Sequence, residues 1–221
     1  MTQDLLIVAA WIVGAYLAGS IPFGWLIGKA RGVDIREHGS KNIGATNCGR
    51  VCGWPCGIAA FVLDVAKGYG PGAAAVALLP GMIEFSDEHL RWLAIVLVAA
   101  QPIIGHLFPV WLGFKGGKAV ATSLGVLLAL PMLRWVALAA FGVWIVVTGA
   151  TRYVSVGSTV AALVFMGIYL WVDRGKAWGD YLAVTVFVFH VVGLVIIRHR
   201  SNYTRLLKGT ENKLWGGTKK P

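Results

Sequence analysis

Three short stretches of the chain concentrate residue types that can hold anions or move protons between them. The first is Gly39-Ser40-Lys41-Asn42-Ile43-Gly44-Ala45-Thr46-Asn47, followed closely by Arg50. Its glycines free the backbone, its hydroxyls and amides offer hydrogen bonds, and cations lie nearby, which are the materials of an anion-binding nest. The same residues would also suit a solvated turn that caps the next helix. The second stretch runs His106-Leu107-Phe108-Pro109, then Gly113-Phe114-Lys115-Gly116-Gly117-Lys118, straight into an apolar segment. Glycines and lysines ahead of a helix aim unpaired N–H groups and a positive dipole end at an anion, phosphate above all. It is not a Walker A loop, because Leu112 stands where the first glycine would be and Ala119 where a Ser/Thr would hold magnesium. The third stretch is Arg198-His199-Arg200-Ser201-Asn202, with Lys208-Gly209-Thr210-Glu211 shortly after. His199 and Asn202 are three apart and share a face if the segment is helical. A histidine there could act as a base or hydrogen-bond a phosphate or hydroxyl. Basic loops that merely flank a membrane, or anchor its anionic headgroups, would use the same charges.

The elements that position these stretches are apolar. Of the 221 residues, 57% are hydrophobic and 14% charged, against roughly 45–50% and about 25% in soluble domains. That composition argues against a water-soluble globule. Seven apolar runs occur, Leu5–Ile27, Val51–Leu79, Leu93–Ile104, Val120–Leu130, Val136–Gly149, Val160–Val172 and Tyr181–Ile197. Several fall short of the ~20 residues of a full span and call for thin or tilted helices. The expected fold is an all-α integral membrane protein with seven transmembrane helices, forming a single domain over residues 1–221. No internal repeat or linker divides it, and no cleavable leader is expected, so the first span stays in the protein.

Charge selects the orientation. The net charge is +10, and 15 of the 20 Lys and Arg residues fall in Lys29–Arg50, His106–Lys118, Arg152–Ser158 and Arg198–Pro221. By the positive-inside rule that face is cytoplasmic, with the N-terminus outside and the C-terminus inside. All three polar stretches then share the cytoplasmic face, and Ser155, in a further loop there, is an additional binding candidate. Asp64 and Lys67 fall within a span at i, i+3, where they can neutralise each other or serve a substrate. Cys48, Cys52 and Cys56, four apart, are expected on one helical face as packing residues, since no histidine or acid joins them at zinc-finger spacing.

Taken together, Gly19-Ser20-Ile21-Pro22-Phe23-Gly24, the Gly39–Asn47 string, the Leu63-Asp64 to Lys67-Gly68 stretch, His106 to Lys118 and Arg198 to Glu211 resemble, in the same order, the PlsY family of bacterial acyl-phosphate-dependent glycerol-3-phosphate acyltransferases. The resemblance implies a seven-span, multi-pass protein of the bacterial inner membrane with its site facing the cytoplasm. It implies transfer of a fatty acyl group from acyl phosphate to the 1-hydroxyl of sn-glycerol 3-phosphate. The products are lysophosphatidic acid and inorganic phosphate, in the first acylation of phospholipid synthesis. The implied catalytic residues are Ser40, Arg50, Lys118, His199 and Asn202. The implied substrate-binding residues are Asn42, Thr46, His106, Gly113, Lys115, Gly116 and Gly117, to which Lys67 and Ser155 are added. Glu211 matches a glutamate best read as structural, because it can pair with a cation of the basic tail. Two positions depart from the family: Lys41 and Ala119 stand where glycine is common, which removes backbone freedom at both.

The chemistry fits the inventory. An acyl phosphate is an activated mixed anhydride, so no covalent acyl-enzyme is needed. What remains is to align two anions and stabilise the departing phosphate. The proton of the attacking hydroxyl goes to His199 or, preferably, to a phosphate oxygen with a second pKa near 6. Acyltransferases that use thioesters typically carry a His and an Asp with four residues between them; here Ile43, Ala94, Trp111, Val195 and Thr204 stand at the fifth position beyond the five histidines. Coenzyme A is therefore not expected, and neither a cofactor nor a metal is. The expected partners are acyl phosphate, glycerol 3-phosphate and the lipid bilayer, with no nucleic acid. A transporter of small phosphorylated anions would explain the basic loops, but such proteins bind near the midplane at broken, repeated helices.

Overall fold

The computed structural model describes residues 2–215 and is helical throughout, with no strand among the described residues. Lys219 and Lys220 of the basic tail lie outside them. The first apolar run forms two helices, α1 (Thr2–Ser20) and α2 (Phe23–Ala30). Ile21-Pro22 separates them, because proline has no N–H to continue the ladder. The second run also divides, into α3 (Ala45–Cys52) and α4 (Trp54–Met82). Gly53 between them has φ +93°, a conformation that only glycine adopts without strain. The expected single face for the three cysteines is thus corrected: Cys56 belongs to a different helix from Cys48 and Cys52. Cys48 and Cys56 nevertheless pack in one small cluster with Ile35 and Ala60, and all three thiols are free.

The remaining helices are α5 (Glu88–Leu107), α6 (Val120–Ala129), α7 (Arg134–Thr151), α8 (Val154–Val172), α9 (Leu182–Arg198) and α10 (Arg200–Leu207). α4 is central and packs on α6, α5, α3, α2 and α1, while α7 pairs with α8 and α8 with α9. Around them the core is fully buried at Leu79, Val98, Val126, Leu130, Val184 and Val188. Large apolar side chains such as Leu5, Val13, Ile58, Val146 and Trp171 point outward, as they must where the surrounding solvent is lipid. Trp135, Trp171 and Trp178 are strongly exposed beside the start of α7, the end of α8 and the start of α9, a distribution typical of an interfacial aromatic belt.

Four helical units meet the length and apolarity of a span, the α1–α2 unit, α5, α7 and α8; the bent pair of α9 and α10 makes a fifth. α4 and α6 do not meet it, so these criteria alone stop short of seven. α6 has ten residues, about 15 Å of helix, half of a ~30 Å hydrocarbon layer. The loop ahead of it supplies more chain: the Gly117 N–H donates to the His106 carbonyl at 3.1 Å and Arg198 donates to the Gly117 carbonyl at 2.6 Å. A Cβ at Gly116 would collide with the His106 and Leu107 carbonyls, so the close approach of this loop to the end of α5 requires glycine.

Candidate active site

The loop from Ile35 to Gly44 is organised by one side chain. Asn47, in the first turn of α3 and 1% exposed, accepts from the Ser40 N–H at 2.8 Å. Its amide donates to the carbonyls of Ile35, Asn42 and His38 at 2.8, 2.9 and 3.2 Å. Asn42 Oδ1 accepts from the Gly44 N–H at 2.8 Å, an Asx turn that delivers the chain into α3. These bonds hold Ser40, Asn42, Thr46 and Arg50 along one wall of a cavity of about 210 Å³.

The opposite wall comes from the other two polar stretches. Lys118, His106, His199, Asn202, Ser155 and Glu211 all line the same cavity. Lys118 Nζ donates to Asn202 Oδ1 at 2.5 Å, and the Asn202 amide donates to Glu211 at 2.5 Å. Arg205 Nε holds the second oxygen of Glu211 at 2.7 Å, the cation pairing anticipated for that glutamate. Arg50 Nη2 donates to the Asn212 carbonyl at 3.2 Å, whereas its buried Nε has no hydrogen-bond partner among the described residues. Three helices, α3, α6 and α8, also present their first turns here through Gly44–Thr46, Ala119–Ala121 and Val154–Ser155. Cations and helix N-termini converging on one chamber make it strongly favourable to anions.

Protonation is set locally. Burial lowers the Lys118 pKa to about 8 against the attraction of Glu211, with Arg205, Arg50 and Arg198 adding repulsion. α9 ends at Arg198, and the chain then bends by 43° into α10. His199 sits at that bend and is 1% exposed. Burial, then the charge of Lys118, holds its pKa down at about 4. Its Nδ1–H donates to the Val195 carbonyl at 2.7 Å, which leaves Nε2 as an acceptor in the neutral ring.

His106 has a second set of partners. Its Nδ1 lies 3.2 Å from Thr122 Oγ1 and 3.6 Å from the Asp64 carboxylate. Asp64 pairs with Lys67 at 2.8 Å, both side chains being almost wholly buried. Lys67 also donates to the Ile21 carbonyl at 2.6 Å, so the break between α1 and α2 supplies one of its bonds.

Beyond the polar chamber the cavity continues between α4, α6, α7, α8 and α9 along alanines, valines and a few aromatic rings. Phe61, Phe141 and Trp144 stack in sequence at 5.9 and 5.8 Å along one side. Nine of the fourteen residues singled out from sequence line the cavity: Ser40, Asn42, Thr46, Arg50, His106, Lys118, Ser155, His199 and Asn202. Gly113 and Lys115 are exposed and outside the lining, because Gly113 at φ +60° turns this part of the loop outward. Lys67 lies behind Asp64, and Gly116 and Gly117 act through their backbone on His106. Sequence reasoning named Asn47 within the first stretch but gave it no role of its own, and it passed over Thr122 and the residues of the apolar extension.

Fold and chamber together define an all-helical integral membrane protein with one cavity that is polar and cationic at one end and apolar at the other. The chain belongs to the glycerol-3-phosphate acyltransferase family, of PlsY type. The family described by that name matches residues 9–209. A glycerol-3-phosphate acyltransferase of Bordetella pertussis is 42% identical over 212 residues, 96% of this chain and 94% of the relative. One of Synechocystis is 42% identical over 223 residues, 97% of this chain and 94% of the relative. Among solved structures, the glycerol 3-phosphate form of PlsY, an integral membrane glycerol 3-phosphate acyltransferase, superposes with a TM-score of 0.80 at 38% identity, covering 93% of this chain and 94% of that one. The lysophosphatidic acid form of the same enzyme gives 0.78 at 37% identity, with the same coverage.

Proposed function

We propose that this protein transfers a fatty acyl group from acyl phosphate to the 1-hydroxyl of sn-glycerol 3-phosphate, giving lysophosphatidic acid and inorganic phosphate. The observation that carries the reading is the single cavity whose cationic, helix-N-terminal end opens without interruption into an apolar groove. One end suits two phosphates, the other an acyl chain. The similarity to a PlsY solved in a glycerol 3-phosphate form and in a lysophosphatidic acid form supports it.

In this mechanism the glycerol oxygen attacks the acyl carbonyl carbon and the bond from that carbon to the phosphate oxygen breaks. The phosphate leaves with the electron pair and receives the hydroxyl proton on one of its own oxygens. Arg50 Nε and Lys118 stabilise the phosphate charges, and Ser40 and Asn202 orient the two substrates. His199, with a pKa of about 4, is a weak base at neutral pH. Its Nε2 accepts a hydrogen bond from the substrate and fixes the direction of attack. His199→Gln is therefore expected to keep most of the single-turnover rate; a loss of about 10²–10⁴-fold with unchanged binding would instead make His199 the base.

The chain is read as one polytopic domain of the bacterial inner membrane with seven spans: the α1–α2 unit, α4, α5, α6, α7, α8 and α9. The N-terminus is outside, and the chamber and C-terminus face the cytoplasm. The test of function is purified protein with palmitoyl phosphate and labelled glycerol 3-phosphate, using Lys118→Ala and Ser40→Ala as controls. Label in an organic-extractable product, lost in both controls, supports the reading; no label from folded wild-type protein overturns it.

A further inference from the structure

In the apolar half of the cavity, the side chains at the deep end differ in size from those along its walls. Ser155 and Phe165 both line it from α8, and ten residues of helix separate them by about 15 Å. Between those levels the walls include Ala137 and Ala140 of α7 and Ala161 and Ala162 of α8. At the far level stands the ring of Phe165, 2% exposed. One helical turn further on, Tyr169 is completely buried and its hydroxyl lies 2.7 Å from Thr185 Oγ1. The threonine gives its only hydroxyl hydrogen to the Ala177 carbonyl at 2.6 Å, so the tyrosine is the donor in that pair. Moving Tyr169 aside would break a buried hydrogen-bond chain. Phe165 is thus the deepest residue that α8 contributes to the lining, and the hydrogen-bonded Tyr169 lies on the same face of the helix one turn behind it.

We propose that Phe165, braced by Tyr169, is the residue that sets the acyl-chain length this enzyme accepts. The inference rests on the reading of the groove as the acyl site. An extended chain of ~1.5 Å carbon–carbon bonds advances roughly 1.25 Å per carbon, so about 15 Å of groove houses about a dozen carbons below the polar chamber. A chain that ends within the groove buries every methylene, each worth about fourfold in affinity. Carbons that reach the phenyl ring must fold back or leave the groove and lose that gain. Alanine walls without a bulky floor would rank chains by hydrophobicity alone; the floor produces a maximum.

The test is internal competition. Wild type, Phe165→Ala, Phe165→Leu and Ala137→Leu each receive glycerol 3-phosphate and an equimolar mixture of saturated acyl phosphates from decanoyl to stearoyl, and the lysophosphatidic acids formed are resolved by mass. Product ratios within one reaction report relative kcat/KM and do not depend on how much of a variant is folded. Phe165→Ala is expected to move the ratio of long to short products upward by about tenfold or more, the equivalent of two newly accommodated methylenes. Phe165→Leu is expected to move it the same way by less, and Ala137→Leu the opposite way. If Phe165→Ala is inactive, the other two variants decide. Unchanged ratios in active variants overturn the role of Phe165 while the acyltransferase reading stands. If wild type ignores acyl phosphates but forms product from acyl thioesters, the donor is refuted, and the same ratios measured with thioesters decide the role of Phe165. No product from any donor overturns both.

Discussion

The two ends of the cavity are built on opposite principles. The polar end is assembled from loops and helix beginnings, with Ser40, Asn42, Arg50, Lys118, His199 and Asn202 arriving from three separate parts of the chain. The apolar end is assembled from helix faces whose contribution is smallness, chiefly Ala137, Ala140, Ala161 and Ala162. In the first, charge and donors must be brought together and satisfied; in the second, volume must be left out. Changes at the polar end should therefore lower the rate for every acyl chain alike, and changes at the apolar end should reorder the chains.

The largest effect is expected at the buried Asp64–Lys67 pair, of which Asp64 lines the cavity. Asp64→Asn leaves the Lys67 cation with the Ile21 carbonyl but no anion, which should cost about 3–5 kcal/mol of stability, read as a lowered Tm. The double variant Asp64→Leu with Lys67→Met should recover most of that loss, and failure to recover it would mean that the carboxylate holds His106 by more than charge balance.

Next comes Lys118→Ala, expected to reduce kcat/KM by about 10²–10³-fold, the usual consequence of removing one donor to developing charge. The loss should be uniform across acyl-chain lengths. Lys115→Ala, three residues away but exposed, should change kcat/KM by no more than about threefold, as weak surface charges do. Equal losses for the two lysines would erase the distinction between chamber and outer loop.

A smaller effect follows from protonation. A lysine is cationic below its pKa, so with Lys118 near 8 phosphate affinity should be present at neutral pH and decline as pH rises through that value. In Lys118→Arg the guanidinium stays charged, and the alkaline limb of the kcat/KM profile should move upward; a limb that stays in place would assign it to another group.

The smallest effect concerns the two departures from the family pattern. Lys41 has φ +58° and Ala119 φ +60°, left-handed conformations that strain a residue with a Cβ. Lys41→Gly and Ala119→Gly should each stabilise the protein by roughly 0.5–1 kcal/mol, read by thermal unfolding, with little change in chain-length preference. A drop in Tm would show that these side chains contribute contacts outweighing the strain.

The polar end was legible in the sequence because hydroxyls, amides, cations and paired glycines are conspicuous in an apolar chain. Even there, sequence could not separate Lys115 from Lys118, since a turn at Gly113 decides which lysine faces the chamber. Nor could it see that Asn47 is the lock of its loop or that His106 reaches Asp64, forty-two positions earlier. The two left-handed positions were visible only as missing glycines; the reason for glycine at such places is the backbone angle. The apolar end was not legible at all, because an alanine that lines a groove and one that faces lipid are the same letter in a membrane helix.

By itself the sequence determined what must be local or additive: an all-helical membrane chain, a strong asymmetry of charge between its loops, and three polar stretches available for anions. Where helices break was only half determined, since Pro22 and Gly53 permit a break that packing then uses. The tertiary structure alone decided which donors converge, which cation is buried enough to titrate near 8, and how deep along the groove Phe165 stands. Those properties depend on distances between residues remote in the chain, and no local pattern encodes a distance.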